Sequence, residues 1–507
     1  MDAGPGPNDD APTEGTSAAA GEPPAAELTT PDPEGEAAPH AASTAEPTTA
    51  HAADAADAPD ADAREAAEAA PKPWHRPMPR WVGPTATLIR ESTESLRDPY
   101  VLLGLLLIFS FVTRVIWLDL PKGGTIFDEA YYVNSARVIL GIDVPEGGKY
   151  GDRAKFLDPN TEHPPLGKLL MAGSMGLFGD NGIGWRVPSV IAGMVVLMAL
   201  FATIRAAGGT AWLALLAVFL TSLDNLSMVH GRIGVLDVMA LAPALVASWL
   251  ALRKRWVLAA IFLALGLLMK LTAVYALGAI LLLWLLQVAP GWWAERRIHV
   301  RQLGGPLLFT VLSLSLFVGG LAALDSRWSE FKNPFDHIER MLTYGARLNQ
   351  PVGTVGICPA ADSRPWQWFG NDCQIQYLRT DVSVNAGDNL VARVAKIDFR
   401  GAMNELLVSA LPIAMLFTIW FAYRQRDGAA LWAVTWAAAN WLPYGLLGVI
   451  SNRIMYLYYF LPLVPAVATA IAILLLRSKL PRFVLWAYLV LYVIGFIAYF
   501  PFRVIPD

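Results

Sequence analysis

Between positions 125 and 168 the sequence TIFDEAYYVNSARVIL runs through a Gly-rich loop to EHPPLGK. It gathers Asp128, Glu129, His163 and Lys168 in a chain that is otherwise mostly apolar. A carboxylate here can take a proton from an attacking hydroxyl, and a nearby cation can balance charge growing on a departing anion. Asp128 is the candidate base. Thr125 to Asp128 also fits a helix start, with the hydroxyl and an acid three residues on satisfying free N–H groups. That capping account is the plainer reading of Asp128 and Glu129. Against it, the helix continues as AYYVNSARVIL, amphipathic and aromatic, directly after an apolar span. Adjacent helical residues point about 100° apart, so the two carboxylates need separate partners. They cannot act as the facing pair of a retaining glycoside hydrolase. One base, Asp128, and one positioning group, Glu129, is the better division.

Further polar groups stand where spans begin or end. In EHPPLGK two prolines end any preceding helix and place His163 and Lys168 in an extended turn, and Gly167 lets the backbone pass close to a ligand. HGRIGVLD puts Arg232 and Asp237 at the mouth of a span; Arg186 in GWRVPS and Arg453 in SNRIMYLYYF lie near other span ends. Polar groups within spans usually face the protein interior and are functional. Arginines at span mouths on the side that orientation rules leave poor in cations ask for an anionic partner, either lipid headgroups or a lipid-linked phosphate substrate. His163, Lys168, Arg186, Arg232, Asp237 and Arg453 are therefore the candidate phosphate-binding set. Lys270 in LLMKLTAVY marks a hairpin between two short apolar segments; a single span would bury it expensively.

The elements that must position these groups are apolar blocks of about twenty residues, the length that crosses a bilayer core of about 30 Å. The chain has 507 residues, 55% hydrophobic and only 16% charged, against about 25% charged in soluble domains. Eleven spans are expected, near 100–119, 183–205, 210–224, 233–252, 255–269, 272–288, 305–324, 403–423, 428–449, 454–476 and 482–502. This is an all-α integral membrane protein. A seven-span module covers 100–324, with a first loop at 120–182 containing an amphipathic helix. A second long loop covers 325–402 and a four-span module 403–507. Residues 1–70 hold sixteen acidic residues against Arg64 alone and have no aromatic residue. Such a segment cannot bury enough apolar surface to offset its ordering entropy, so a disordered acidic tail is expected, followed by a basic, aromatic juxtamembrane segment at 71–99.

Basic residues occur in every second connection: Arg205; Arg253, Lys254 and Arg255; Arg296, Arg297 and Arg301; Arg424 and Arg426; Arg477, Lys479 and Arg482. The positive-inside rule then predicts a cytoplasmic N-terminus and puts both long loops on the external face. Cys358 and Cys373, the two cysteines of the chain, both fall in the second loop, where an external compartment permits a disulfide; two free thiols are the alternative. No GxxxxGK[ST] or GxGxxG cradle is present, and nothing points to nucleic acid. An enzyme on that face would draw on a pre-activated, lipid-carried substrate. A transporter would cluster its polar groups near the bilayer midplane in broken helices, whereas here they gather at one face.

Four motifs, FDEAYY, HPPLGK, RIGVLD and NRIMYLYYFLPLVP, make residues 98–502 resemble the protein O-mannosyltransferases, a family of GT-C-type membrane glycosyltransferases; the Ala-rich tail and Ala/Arg-rich composition suggest an actinobacterial member. The resemblance implies a GT-C-type fold and transfer of mannose, with inversion, from polyprenyl phosphate mannose to Ser or Thr of exported proteins at the plasma membrane. It implies Asp128 as the base and Glu129 as an acceptor contact. Membrane lipid and the secretion channel are further candidate partners. Asp128, Glu129 and His163 could converge on an ion, but the resemblance argues against an essential metal, and no cofactor is expected. Eukaryotic members carry a β-trefoil in the central external loop; 325–402 is too short for one. The rival is a GT-C transferase with a lipid or cell-wall glycan acceptor, which should lack HPPLGK beside FDEAYY.

Overall fold

The computed structural model describes residues 98–348, 358, 362–386, 389–451 and 453–504. The acidic tail and nearly all of the juxtamembrane segment expected at 71–99 lie outside the described residues.

Helix α1 (Pro99–Val115) opens the bundle, with Asp98 accepting a hydrogen bond from the Tyr100 N–H. The first loop carries α2 (Glu129–Leu140) and α3 (Leu166–Phe178). Then come α4 (Gly182–Ala206), α5 (Ala211–Ser222), the short α6 (Asn225–His230), α7 (Leu236–Leu252) and α8 (Trp256–Met269). Lys270 ends α8 in extended backbone, and a 3-10 turn leads into α9 (Val274–Glu295) and then α10 (Gly304–Trp328). The expected hairpin at Lys270 is thus present. The C-terminal group is α12 (Glu405–Gln425), α13 (Gly428–Ile450), α14 (Val464–Arg477) and α15 (Arg482–Tyr499).

Among the described residues seven helical segments are long and apolar enough to cross a membrane. The other four expected spans coincide with α1, α5, α7 and α8, of 17, 12, 17 and 14 residues. At about 1.5 Å per residue a helix as short as α5 falls short of a bilayer core, so the count of eleven full crossings is not confirmed. Caps fix where several helices start. Asn181, Thr210, Asp224, Asn404 and Asp427 each accept from an N–H of the first turn, a cap being worth about 1 kcal/mol. Helix α4 packs on α7, α7 on α8, and α8 on α10, while the C-terminal group docks through α14 on α5 and α13 on α9. Helix α14 is rich in Ala and Leu and almost wholly buried, which makes it the pillar between the two groups.

The second loop is more ordered than a plain connection. It holds α11 (Pro334–Arg347) and an antiparallel hairpin of β1 (Ile375–Ala386) and β2 (Asn389–Gly401), an addition to the all-α expectation. Cys358 and Cys373 form the expected disulfide. The hairpin is pinned at its base. Phe502 bridges to Ile397, Asp398 N–H donates to Pro501 O at 2.8 Å, and Arg503 N–H donates to Lys396 O at 3.0 Å. A segment following α15 thereby straps the strands to the bundle.

Candidate active site

Asp128 stands at the N-cap of α2, yet its side chain caps nothing. Glu129 reaches back ahead of the helix, accepting from the Ile126 N–H at 2.7 Å. Phe127, just before the base, lies in the left-handed region at φ 56°, which a bulky residue adopts only when its surroundings impose it. Those surroundings are aromatic: the Phe127 ring stacks on Tyr377 of β1 at 4.1 Å and meets Tyr458 edge-on at 5.4 Å. The packed ring fixes the backbone turn that leads into Asp128.

The Asp128 carboxyl is half-buried and accepts no hydrogen bond from the described residues. Burial pushes it up to about 6; the Lys270 charge works against this and Asp237 adds to it. At neutral pH it is therefore mostly ionised, and a stronger base than an ordinary carboxylate. Lys270 pairs with Asp237 at 2.7 Å, and its ammonium lies over the Tyr458 ring at 5.7 Å. His230 shares a 2.9 Å hydrogen bond with the Tyr377 hydroxyl and tilts against Tyr458. The groups around the base thus come from α2, α6, α7, the α8–α9 turn, β1 and the turn before α14.

The sequence-nominated residues divide sharply. Glu129 is fully buried, with both oxygens filled. Oε1 accepts from Arg186 Nε and the Gly234 N–H at 2.7 Å each, and Oε2 from Arg186 at 2.8 Å. It has no oxygen left for an acceptor, and the acceptor-contact expectation gives way to a tie between α2, α4 and the turn before α7. A Cβ at Gly234 would lie 3.1 Å from Trp185 O, so glycine permits this approach. Arg186 spends its remaining donors on the carbonyls of Leu118, Leu120 and Gly124. Arg232 donates to Thr113 O and Ile116 O, finishing α1 as a basic C-terminal cap, under Phe399 and Phe502.

Lys168 also turns inward. It lies in the first turn of α3 rather than in an extended turn, paired with Asp158 at 2.6 Å and bonded to Asn160 and to His163 O. A Cβ at Gly167 would sit 2.5 Å from Leu236 Cδ2, so this glycine serves close packing of α3 on α7. The His163 ring packs near Tyr132, and burial, then Lys270 and Lys168, hold its pKa well below the usual imidazole range. It is a neutral group, not a cation for phosphate. Arg453 is half-buried, with Nε donating to Gly345 O at 2.7 Å and its Nη groups bonding none of the described residues. Of the proposed phosphate set, Asp237 and Arg453 remain in play beside Asp128.

Sequence reasoning missed Lys270, His230, Tyr377 and Tyr458 as site residues. His230 begins the quoted HGRIGVLD and Tyr458 lies inside YLYYF, so both signals were present but carried no contact information. Among the described residues no cluster of three metal-ligating side chains occurs.

Residues 162–315 match the Dolichyl-phosphate-mannose-protein mannosyltransferase family. This bears out the resemblance drawn from the motifs. Polyprenol-phosphate-mannose–protein mannosyltransferase of Mycolicibacterium smegmatis is 32% identical over 139 residues, 27% of this chain and 25% of that protein. The Corynebacterium glutamicum protein of the same description is 30% identical over 154 residues, 30% of this chain and 29% of its own. The aligned stretch therefore spans about a quarter of these relatives. The S. cerevisiae protein O-mannosyltransferase Pmt1-Pmt2 complex bound to the sugar donor superposes with a TM-score of 0.55 at 12% identity, over 84% of this chain and 92% of that one. The fold is thus the expected GT-C type. Asp128 lies before the matched segment, so its role rests on geometry.

Proposed function

We propose that this chain transfers mannose from polyprenyl phosphate mannose to Ser or Thr hydroxyls of exported polypeptides, with inversion, on the external face of the plasma membrane. The observation that carries this reading is the Asp128 carboxyl: half-buried, unbonded among the described residues, and shifted up to about 6 at the head of the first loop. The matched family and the relatives' printed activity supply the donor and acceptor classes.

In the transfer step the acceptor oxygen forms its bond to the anomeric carbon as the carbon–phosphate oxygen bond breaks. The hydroxyl proton goes to Asp128, and polyprenyl phosphate leaves with the bonding electron pair. A hydroxyl is a poor nucleophile until a base receives its proton, and a phosphate leaving group needs positive charge rather than an acid. Glu129 faces inward, so one carboxylate serves the reaction, consistent with a single displacement. Basic residues in every second connection support the external placement.

The test is incubation of the purified protein with labelled polyprenyl phosphate mannose and a Ser/Thr/Pro-rich peptide. Label in the peptide that disappears with Asp128→Asn supports the reading. Label found only in glycolipid would shift the acceptor to the rival class.

A further inference from the structure

The site presents an electrostatic difficulty. Lys168, Arg186 and Arg232 are bound to carboxylates, carbonyls or aromatic rings inside the protein, and His163 is neutral. Arg453 is tied through Nε to Gly345 of the second loop and is not among the charges that bear on Asp128, whereas Lys270 is the first of them. Asp128 and Asp237 bring two negative charges to the place where an anionic donor has to sit. Lys270 is a cation lodged among them. Its backbone is extended between the end of α8 and the following turn. Its ammonium has three donors, and Asp237 accepts one of them at 2.7 Å. Tyr458 covers it with a ring face, and the same ring touches Phe127, the residue before the base. A lysine stem of this length ordinarily snorkels to water; here the carboxylate and the ring hold the charge beside the reacting groups.

We propose that the Lys270 ammonium receives the phosphate of the lipid-linked donor, and that Asp237 is the positioning residue that holds it there. The inference rests on the functional reading above and names the charge that seats its leaving group. As the carbon–oxygen bond breaks, the phosphate goes from one negative charge toward two. The proton moving to Asp128 removes one negative charge from the same small volume, so the field of Lys270 on the phosphate is less opposed as it is needed. A fixed, desolvated ammonium requires little reorganisation during that change.

The experiment uses the full chain in detergent with polyprenyl phosphate itself as the binding probe, alongside transfer kinetics. Lys270→Gln is expected to weaken carrier binding about 10–100-fold, the loss of a hydrogen bond to a charged group. Lys270→Arg is expected to recover part of it. Removing one partner of a buried pair can also damage the fold, so the deciding variant is the double neutral Lys270→Gln/Asp237→Asn. It is expected to restore the thermal midpoint while leaving carrier binding weak. Carrier binding that returns with the fold would make the pair structural only and overturn the proposal. Wild-type binding that Lys270→Gln retains in full would overturn Lys270 alone. A wild-type protein that binds no polyprenyl phosphate would overturn this inference and the functional reading together.

Discussion

Asp128 combines two properties that pull against each other. A carboxyl raised from 3.8 to about 6 prefers, in the folded chain, to be protonated. Its contribution to stability is full below the unfolded value and is lost as pH rises through about 6, a penalty of about 3 kcal/mol at neutral pH. Asp128→Asn should therefore raise the thermal midpoint at pH 7.5 while cutting transfer about 10²–10⁴-fold. An equal or lower midpoint would mean the carboxylate is not held at a cost. Wild-type transfer should fall tenfold per pH unit below about 6, since only the ionised base accepts a proton, and a profile flat to pH 5 would contradict the assignment. Glu129→Gln makes the opposite pattern. Leaving Arg186 unpaired in the interior should cost about 3–5 kcal/mol, read as lower yield and midpoint, and a normal midpoint with a selective rise in acceptor KM would reinstate the acceptor role. Asp128 was legible in sequence because a polar helix start directly after an apolar span is anomalous. The ion pairs were not, because Glu129 meets Arg186 57 positions away and Lys270 meets Asp237 33 away, separations that no local pattern encodes.

The helices were legible where length and apolarity did the work, and less so where either failed. Helix α3, 13 residues long, is too short to register as a span; Pro164-Pro165 ends any preceding helix but also opens this one, with Pro165 at the N-cap, where a missing N–H costs nothing. The β1–β2 hairpin escaped because a two-stranded ribbon supported by the bundle needs little hydrophobic alternation of its own. It nevertheless supplies Tyr377 to the base. The Cys358–Cys373 disulfide closes a short segment that includes Trp368, whose ring meets Tyr444 and Tyr459. Cys358→Ser/Cys373→Ser should lose about 3 kcal/mol from loop closure, seen as a lower midpoint that matches wild type under reductant. Equal midpoints for oxidised wild type and the double variant would show that the cross-link constrains nothing.

The arrangement of alternating basic connections predicts a side for every loop, and that can be checked directly. Cysteine placed at exposed Lys122 or Phe335, one in each long loop, should react with an impermeant maleimide in intact cells, while cysteine at Arg253 should react after lysis alone. Reactivity of position 253 in intact cells would reverse the topology and, with it, the donor pool. Removing residues 1–70 should leave transfer unchanged, because nothing in that composition offers a group the chemistry needs; a dead truncation with normal yield would contradict this. The strap at Pro501 to Arg503 has a consequence for biogenesis. Tyr377 reaches Phe127 only from a hairpin whose base is stitched by residues emerging after α15. A chain still being inserted therefore carries Asp128 without its aromatic wall. The aromatic wall around the base is thus among the last parts of the fold to be completed.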